Sequence, residues 1–251
     1  MSSDRRRAML LGVLLICGIA FGILNSVPAL EYPDYLAKLS TIRAQVLIAV
    51  FFQAAMATVY VCIAVLFYPV VKRYSKGLAL SYFGFRIIGA TFLFVGIGSL
   101  LLLLHLSQSL VSAGLLDAPQ LQITGELLRT GRDIMNHIGM PLPWILGGLV
   151  LCWSMFKTGS VPRWLSVWGI VGAVLTVIAT LLYMLDFIEM LTPTYLAMNV
   201  PTALFELSLA AFLIARGFNP PVADSDGSQG SSVRSPVSET QRTGNSFPTA
   251  R

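Results

Sequence analysis

Apolar residues run along this chain in long, nearly unbroken blocks, and the polar residues gather in short clusters between them. Six blocks reach the ~20 residues that a helix needs to cross a bilayer: residues 9–29, 44–71, 78–106, 134–156, 164–185 and 195–215. Each is too long and too uniformly apolar for a barrel strand, whose faces alternate. Inside hydrocarbon a backbone must satisfy its own N–H and C=O groups, which a helix does. The pattern predicts an all-α membrane protein, a bundle of six transmembrane helices in one domain over residues 1–220. Beyond residue 217 the composition turns to Ser, Gly, Pro and Thr with few large apolar side chains. Such a segment cannot bury enough surface to fold alone, so residues 221–251 are expected to form a disordered cytoplasmic tail.

Local signals refine the connections. Asp34 is placed to cap a short amphipathic stretch with Leu36, Leu39 and Ile42 on one face. Asp117-Ala118-Pro119-Gln120 reads as a helix start, with an Asp cap and Pro in the first turn. Thr192-Pro193 starts the sixth span in the same way. Pro141, Pro143 and Pro201 fall inside spans, where they withhold the N–H groups that the carbonyls of His137, Gly139 and Ala197 would receive. Gly18, Gly22 and Ser26 form a small-residue stripe suited to close helix packing, and Gly96-Ile97-Gly98 reads similarly.

Composition agrees with this picture. Of 251 residues, 55% are hydrophobic and 12% charged, against about 25% charged in soluble domains. The net charge of +5 does not point to nucleic acid, because the basic residues form no patch with interleaved aromatics. They orient the chain instead. Arg5, Arg6, Arg7, Lys72, Arg73, Lys76, Lys157, Arg163 and Arg216 fall on one side, against Lys38, Arg43, Arg129 and Arg132 on the other. Nine basic residues against four put both termini in the cytoplasm. Arg5–Arg7 before an apolar run resembles a signal peptide, but the run exceeds the ~7–15 residues of such a region, and an uncleaved first helix is expected. Cys17, Cys62 and Cys152 lie far apart inside apolar runs and read as buried thiols.

Ionisable groups inside spans are costly and mark candidate sites. Arg86 lies ~13 Å and Glu206 ~15 Å from the cytoplasmic end of their spans, at 1.5 Å per residue. Their matched depths predict a mutual ion pair, with Tyr60 at a similar depth offering a hydrogen bond. Gln53 and Asn199 lie further out, again at matched depths. These five residues form a candidate ligand site near the membrane middle; a purely structural pairing is the alternative. A second polar group faces outward: His105 at the end of the third span, and Arg132, Asp133 and His137, with Arg129, at the start of the fourth. Its histidines and carboxylates are candidates for acid–base or metal chemistry, but no metal-ligand spacing is present, so solvated interface charges are the plainer reading. No catalytic residue, metal or cofactor is assigned.

Several segments together resemble a known family. They are Leu66-Phe67-Tyr68-Pro69 with Lys72-Arg73, then Gly77-Leu78-Ala79-Leu80-Ser81-Tyr82-Phe83-Gly84-Phe85-Arg86, then Arg132-Asp133, Val161-Pro162-Arg163-Trp164-Leu165-Ser166 and Arg216-Gly217-Phe218-Asn219-Pro220. Their order and spacing, over roughly residues 6–220, resemble the bacterial membrane family called domain of unknown function 4386. The resemblance implies a multi-pass protein of the bacterial inner membrane with no established activity. It also marks Arg86, Asp133 and Glu206 as family-type positions, while the Met140-Pro141-Leu142-Pro143 stretch departs from the uninterrupted run expected there. Three functions are carried forward. The leading one is a non-enzymatic protein that binds or moves a small molecule or lipid around Arg86 and Glu206. The others are a membrane enzyme using the outer His/Asp group, and an accessory or assembly subunit with a membrane protein partner. Membrane lipids surround it in every case.

Overall fold

The computed structural model describes residues 3–114, 119–189 and 192–219. All of their regular structure is helical. The expected tail, residues 221–251, and the expected Asp117 cap lie outside the described residues.

Six helical segments are long and apolar enough to cross a membrane. The spanning helices are α1 (Ser3–Leu24), α3 (Arg43–Lys72), α4 (Lys76–Ala113), α6 (Pro141–Thr158), α7 (Arg163–Met184) and α8 (Pro193–Ala215). The short α2 (Tyr35–Thr41) and α5 (Pro119–Ile134) belong to the side opposite the termini, called here the outer side. The first span differs from the expected 9–29. Its α-helix stops at Leu24, because Asn25, Ser26 and Pro28 turn the chain into a 3-10 helix at Pro28–Glu31. The third span overshoots its expected end, with α4 running to Ala113 and closing on Gly114 in the left-handed conformation, φ 66°.

The spans pack as a closed ring in chain order. Helix α1 touches α3, α3 touches α4, α4 touches α6, α6 touches α7, α7 touches α8, and α8 returns to α1. Short turns join α3 to α4 and α6 to α7, while the longer connections before α3 and α6 contain α2 and α5. Small residues let the closing pair meet: a methyl on Gly12 would lie 2.6 Å from Ile214 Cγ1 and 2.7 Å from the Ala210 carbonyl oxygen. Arg5 clasps the same seam. Its guanidinium donates to the carbonyls of Leu213, Ile214 and Ala215 at 3.1, 2.7 and 3.0 Å, at the C-terminal end of α8, where the Leu213 carbonyl also accepts from the Gly217 N–H. The first helix is therefore a structural member of the ring. Of the expected stripe, Gly18 packs on Tyr60 and Gly22 faces Met56, while Ser26 lies past the helix end.

Apolar side chains fill two main cores. One lies on the terminal side around Phe67, Tyr82, Met155, Leu165 and Leu213. The other lies on the outer side around Leu30, Leu36, Leu39, Leu100 and Leu103, so the amphipathic face expected of α2 is the face it buries. Asp34 does not cap α2 through its side chain. It pairs with Lys38 at 2.8 Å instead, and that ammonium holds its carboxyl below the usual carboxylate range. Thr192 does cap α8, accepting from the Tyr195 N–H at 3.3 Å. Cys152 is buried as expected, but Cys62 is exposed on the bilayer side of α3, where lipid replaces protein as the apolar neighbour.

Candidate functional site

Between the two cores the polar residues form two levels. The deeper level is built on Arg86, which is 5% exposed. Gly147 and Gly148 on α6 make room for it, since a methyl on Gly147 would sit 3.3 Å from Arg86 Nε. The guanidinium lies over Trp144, with Cζ 3.5 Å from the ring centroid, and 5.4 Å from the Tyr82 ring. Trp144 in turn donates its indole N–H to Glu206 Oε1 at 3.4 Å. Tyr60 stacks on the same indole at 3.9 Å between centroids.

The expected direct ion pair is thus not formed: among the described residues no Arg86–Glu206 contact falls within 4.0 Å. Trp144, on α6, instead contacts both charges, with Arg86 of the neighbouring α4 over its ring and Glu206 of α8 at its indole N–H. Tyr60 contributes a ring contact rather than a hydrogen bond. Arg86 Nε and Nη1 have no hydrogen-bond partner. Beside them is a cavity of about 30 Å³ lined by Arg86, Trp144, Cys152, Thr202 and Glu206 among others. That space suits a water or two, since one water needs ~10–15 Å³.

The outer level is larger. A chamber of about 450 Å³ opens between α1, the 3-10 turn, α3, α4, α8 and the junction of α5 with α6. Its polar wall holds Asn25, Glu31, Gln53, Arg132, Asn136 and His137, and its apolar wall includes Val27, Met56, Leu93 and Met140. The two prolines create this wall. Pro141 has no N–H to continue the α pattern, and the chain widens into a π-helix at Met135–Gly139, with the Met140 N–H bonded to the Met135 carbonyl at 3.0 Å. Short π segments in membrane and soluble helices often mark functional sites.

The chamber joins residues that sequence spacing kept apart. Gln53 donates to the Leu93 carbonyl and to Asn136 Oδ1, both at 3.0 Å, while its own Oε1 has no partner. Its expected companion Asn199 is not there: it bonds the Tyr195 carbonyl of its own helix at 2.8 Å. Arg132 and His137 line the chamber, and Asp133 holds Arg132 Nη1 at 3.0 Å. His105 is not part of this group; it lies exposed on α4 and does not line the chamber. Arg129 is committed to structure, donating to the Leu30 carbonyl at 2.9 Å and pairing with Glu126 at 2.7 Å. Among the described residues, no three His, Cys, Asp or Glu side chains are grouped to hold a metal ion. Sequence reasoning missed Trp144, Asn136 and Glu31. The signals were present: a Trp far from either interface, and an Asn beside His137 ahead of two prolines.

The ring of spans with polar groups buried at two depths defines a polytopic helical membrane protein with an outward-opening chamber. The chain belongs to the family described as Domain of unknown function (DUF4386), whose pattern it matches over residues 8–217. No match was found among curated proteins or among solved structures.

Proposed function

We propose that this protein binds a small molecule in the outer chamber, and that the Arg86–Trp144–Glu206 level beneath it is a hydrated support rather than the binding site. The observation that carries this is the contrast in volume. The deeper cavity, at about 30 Å³, admits a water. The chamber, at about 450 Å³, falls within the ~300–1,000 Å³ of small-molecule sites and has their mixture of apolar wall and few polar groups. Buried Arg132 and Gln53 line it with Asn136 and His137 of the π-helix, and Arg132 Nε and Gln53 Oε1 have no hydrogen-bond partner.

The test is native mass spectrometry of the purified full-length protein, wild type beside Gly22→Leu and Glu206→Gln. A methyl on Gly22 meets only Met56 Sδ, at 3.5 Å, so a larger side chain enters the chamber without breaking a helix contact. A bound mass lost in Gly22→Leu and kept in Glu206→Gln is expected. A mass lost only in Glu206→Gln would return the site to the deeper level. An apo protein in all three, with no ligand-dependent stabilisation across a metabolite panel, would remove the reading.

A further inference from the structure

We propose that the turn between α6 and α7 binds the headgroup of an anionic phospholipid through Lys157 and Arg163, on the terminal side of the bundle. This goes beyond the chamber reading and does not depend on it.

The segment Val161-Pro162-Arg163-Trp164-Leu165-Ser166 lines neither the deeper cavity nor the chamber. Its charge has a different setting. Arg163 opens α7 and Lys157 lies in the last turn of α6, one on each side of the turn. Both are exposed, and neither forms an ion pair among the described residues. The one described carboxylate at this end, Asp4, is already engaged by Arg7 at 3.6 Å and by Arg73 at 3.3 Å. Two neighbouring cations without a counter-charge select an anion.

Aromatic rings hold both cations in place. Lys157 Nζ lies 4.7 Å from the Trp153 ring centroid, and Arg163 Cζ lies 5.9 Å from that of Phe156. Those two rings stack at 6.3 Å, so both cations lean on one aromatic pair. Trp164 and Trp168 stack at 6.2 Å at the start of α7. Trp side chains favour the headgroup level of a bilayer, which sets the cations at the depth of lipid phosphates. The turn between them is pinned. Asn219 donates its backbone N–H to the Ser160 carbonyl at 2.8 Å and its side-chain amide to the Gly159 carbonyl at 3.0 Å. Two oxygens that would repel a phosphate are thereby engaged from within the protein. The hydrocarbon side favours lipid over a soluble anion. Trp164, Val167, Val171 and Val174 stay exposed at helical spacing along one face of α7, a track for an acyl chain that leads away from Arg163.

Full-length protein in a non-ionic detergent is titrated with phosphatidylglycerol, phosphatidylcholine and glycerophosphate, read by native mass spectrometry and thermal melting. Phosphatidylglycerol is expected to bind about tenfold more tightly than phosphatidylcholine, the scale of two partly screened cations near one headgroup. Glycerophosphate, which has the phosphate without the chains, is expected to give no shift at the same concentrations. Lys157→Gln combined with Arg163→Gln is expected to bring phosphatidylglycerol down to the phosphatidylcholine level. Arg6→Gln combined with Lys76→Gln is the control, because it removes the same charge from exposed, unpaired positions at the same end, and it is expected to keep most of the preference. All four side chains are exposed, so both variants should fold. The preference is a ratio of two lipids within each variant, so a change in stability does not imitate its loss. Equal binding of the two lipids by the wild type, equal loss in the two double variants, or glycerophosphate binding as tightly as phosphatidylglycerol would each overturn the assignment.

Discussion

Replacing Gly96 by Ala tests the chamber wall at its tightest point. A methyl there collides with the side-chain oxygen of Asn136 and approaches Gln53 Nε2 to 3.1 Å. In a helix interior Gly→Ala ordinarily stabilises by about 0.8–1.0 kcal/mol. Here Asn136 has to move, which breaks its 3.0 Å bond with Gln53 and leaves a buried amide hydrogen without a partner. An orphaned buried donor costs about 1–3 kcal/mol, and the crowded methyl adds to it. The second effect outweighs the first, so a net loss of about 1–2 kcal/mol is expected. Gly98 is the internal control, because a methyl there meets nothing within 4 Å. Gly98→Ala should be neutral or slightly stabilising. The assay is thermal unfolding in detergent, where about 2–4 °C per kcal/mol applies to a chain of this size. Adding Asn136→Ala to Gly96→Ala removes the obstacle, so the double variant should lose less than the sum of the two single ones. Equal melting of Gly96→Ala and Gly98→Ala, or strict additivity in the cycle, would refute the geometry.

Other expectations follow from the deeper level and the ring closure. Arg86→Met removes the cation over Trp144, whose indole N–H holds Glu206, and should cost about 1–3 kcal/mol, part of it recovered when Glu206→Gln is added, as read by unfolding of the three variants. Trp144→Phe keeps a ring under Arg86 and removes the donor to Glu206; a loss of about 1–2 kcal/mol in the same assay is expected, and no loss would mean that the 3.4 Å bond contributes nothing. Arg5→Ala withdraws three hydrogen bonds from the end of α8 and should raise protease sensitivity at the α1–α8 seam, with about 1–2 kcal/mol of destabilisation. His105→Ala should change stability by less than about 0.5 kcal/mol and leave ligand binding intact, since the side chain is exposed and outside the chamber.

The six spans were legible in the sequence because lipid imposes one requirement on every residue that faces it, and a run of about 20 apolar residues reports that requirement locally. Helix starts were legible where a cap and a proline act within one turn, as at Thr192-Pro193. Depth was legible too, since rise per residue is constant: Arg86 and Glu206 do share one level, both contacting the same indole. What lies between two residues at one depth is not a property of depth. The rotation of each helix brought Trp144 into contact with both charges, turned Gln53 to Asn136 rather than to Asn199, and left His105 outside. The chamber was hidden for the same reason. The prolines announced a break in the fourth span, but whether that break opens as a kink or as a π-helix facing a cavity depends on the helices packed against it, whose side chains come from distant parts of the chain.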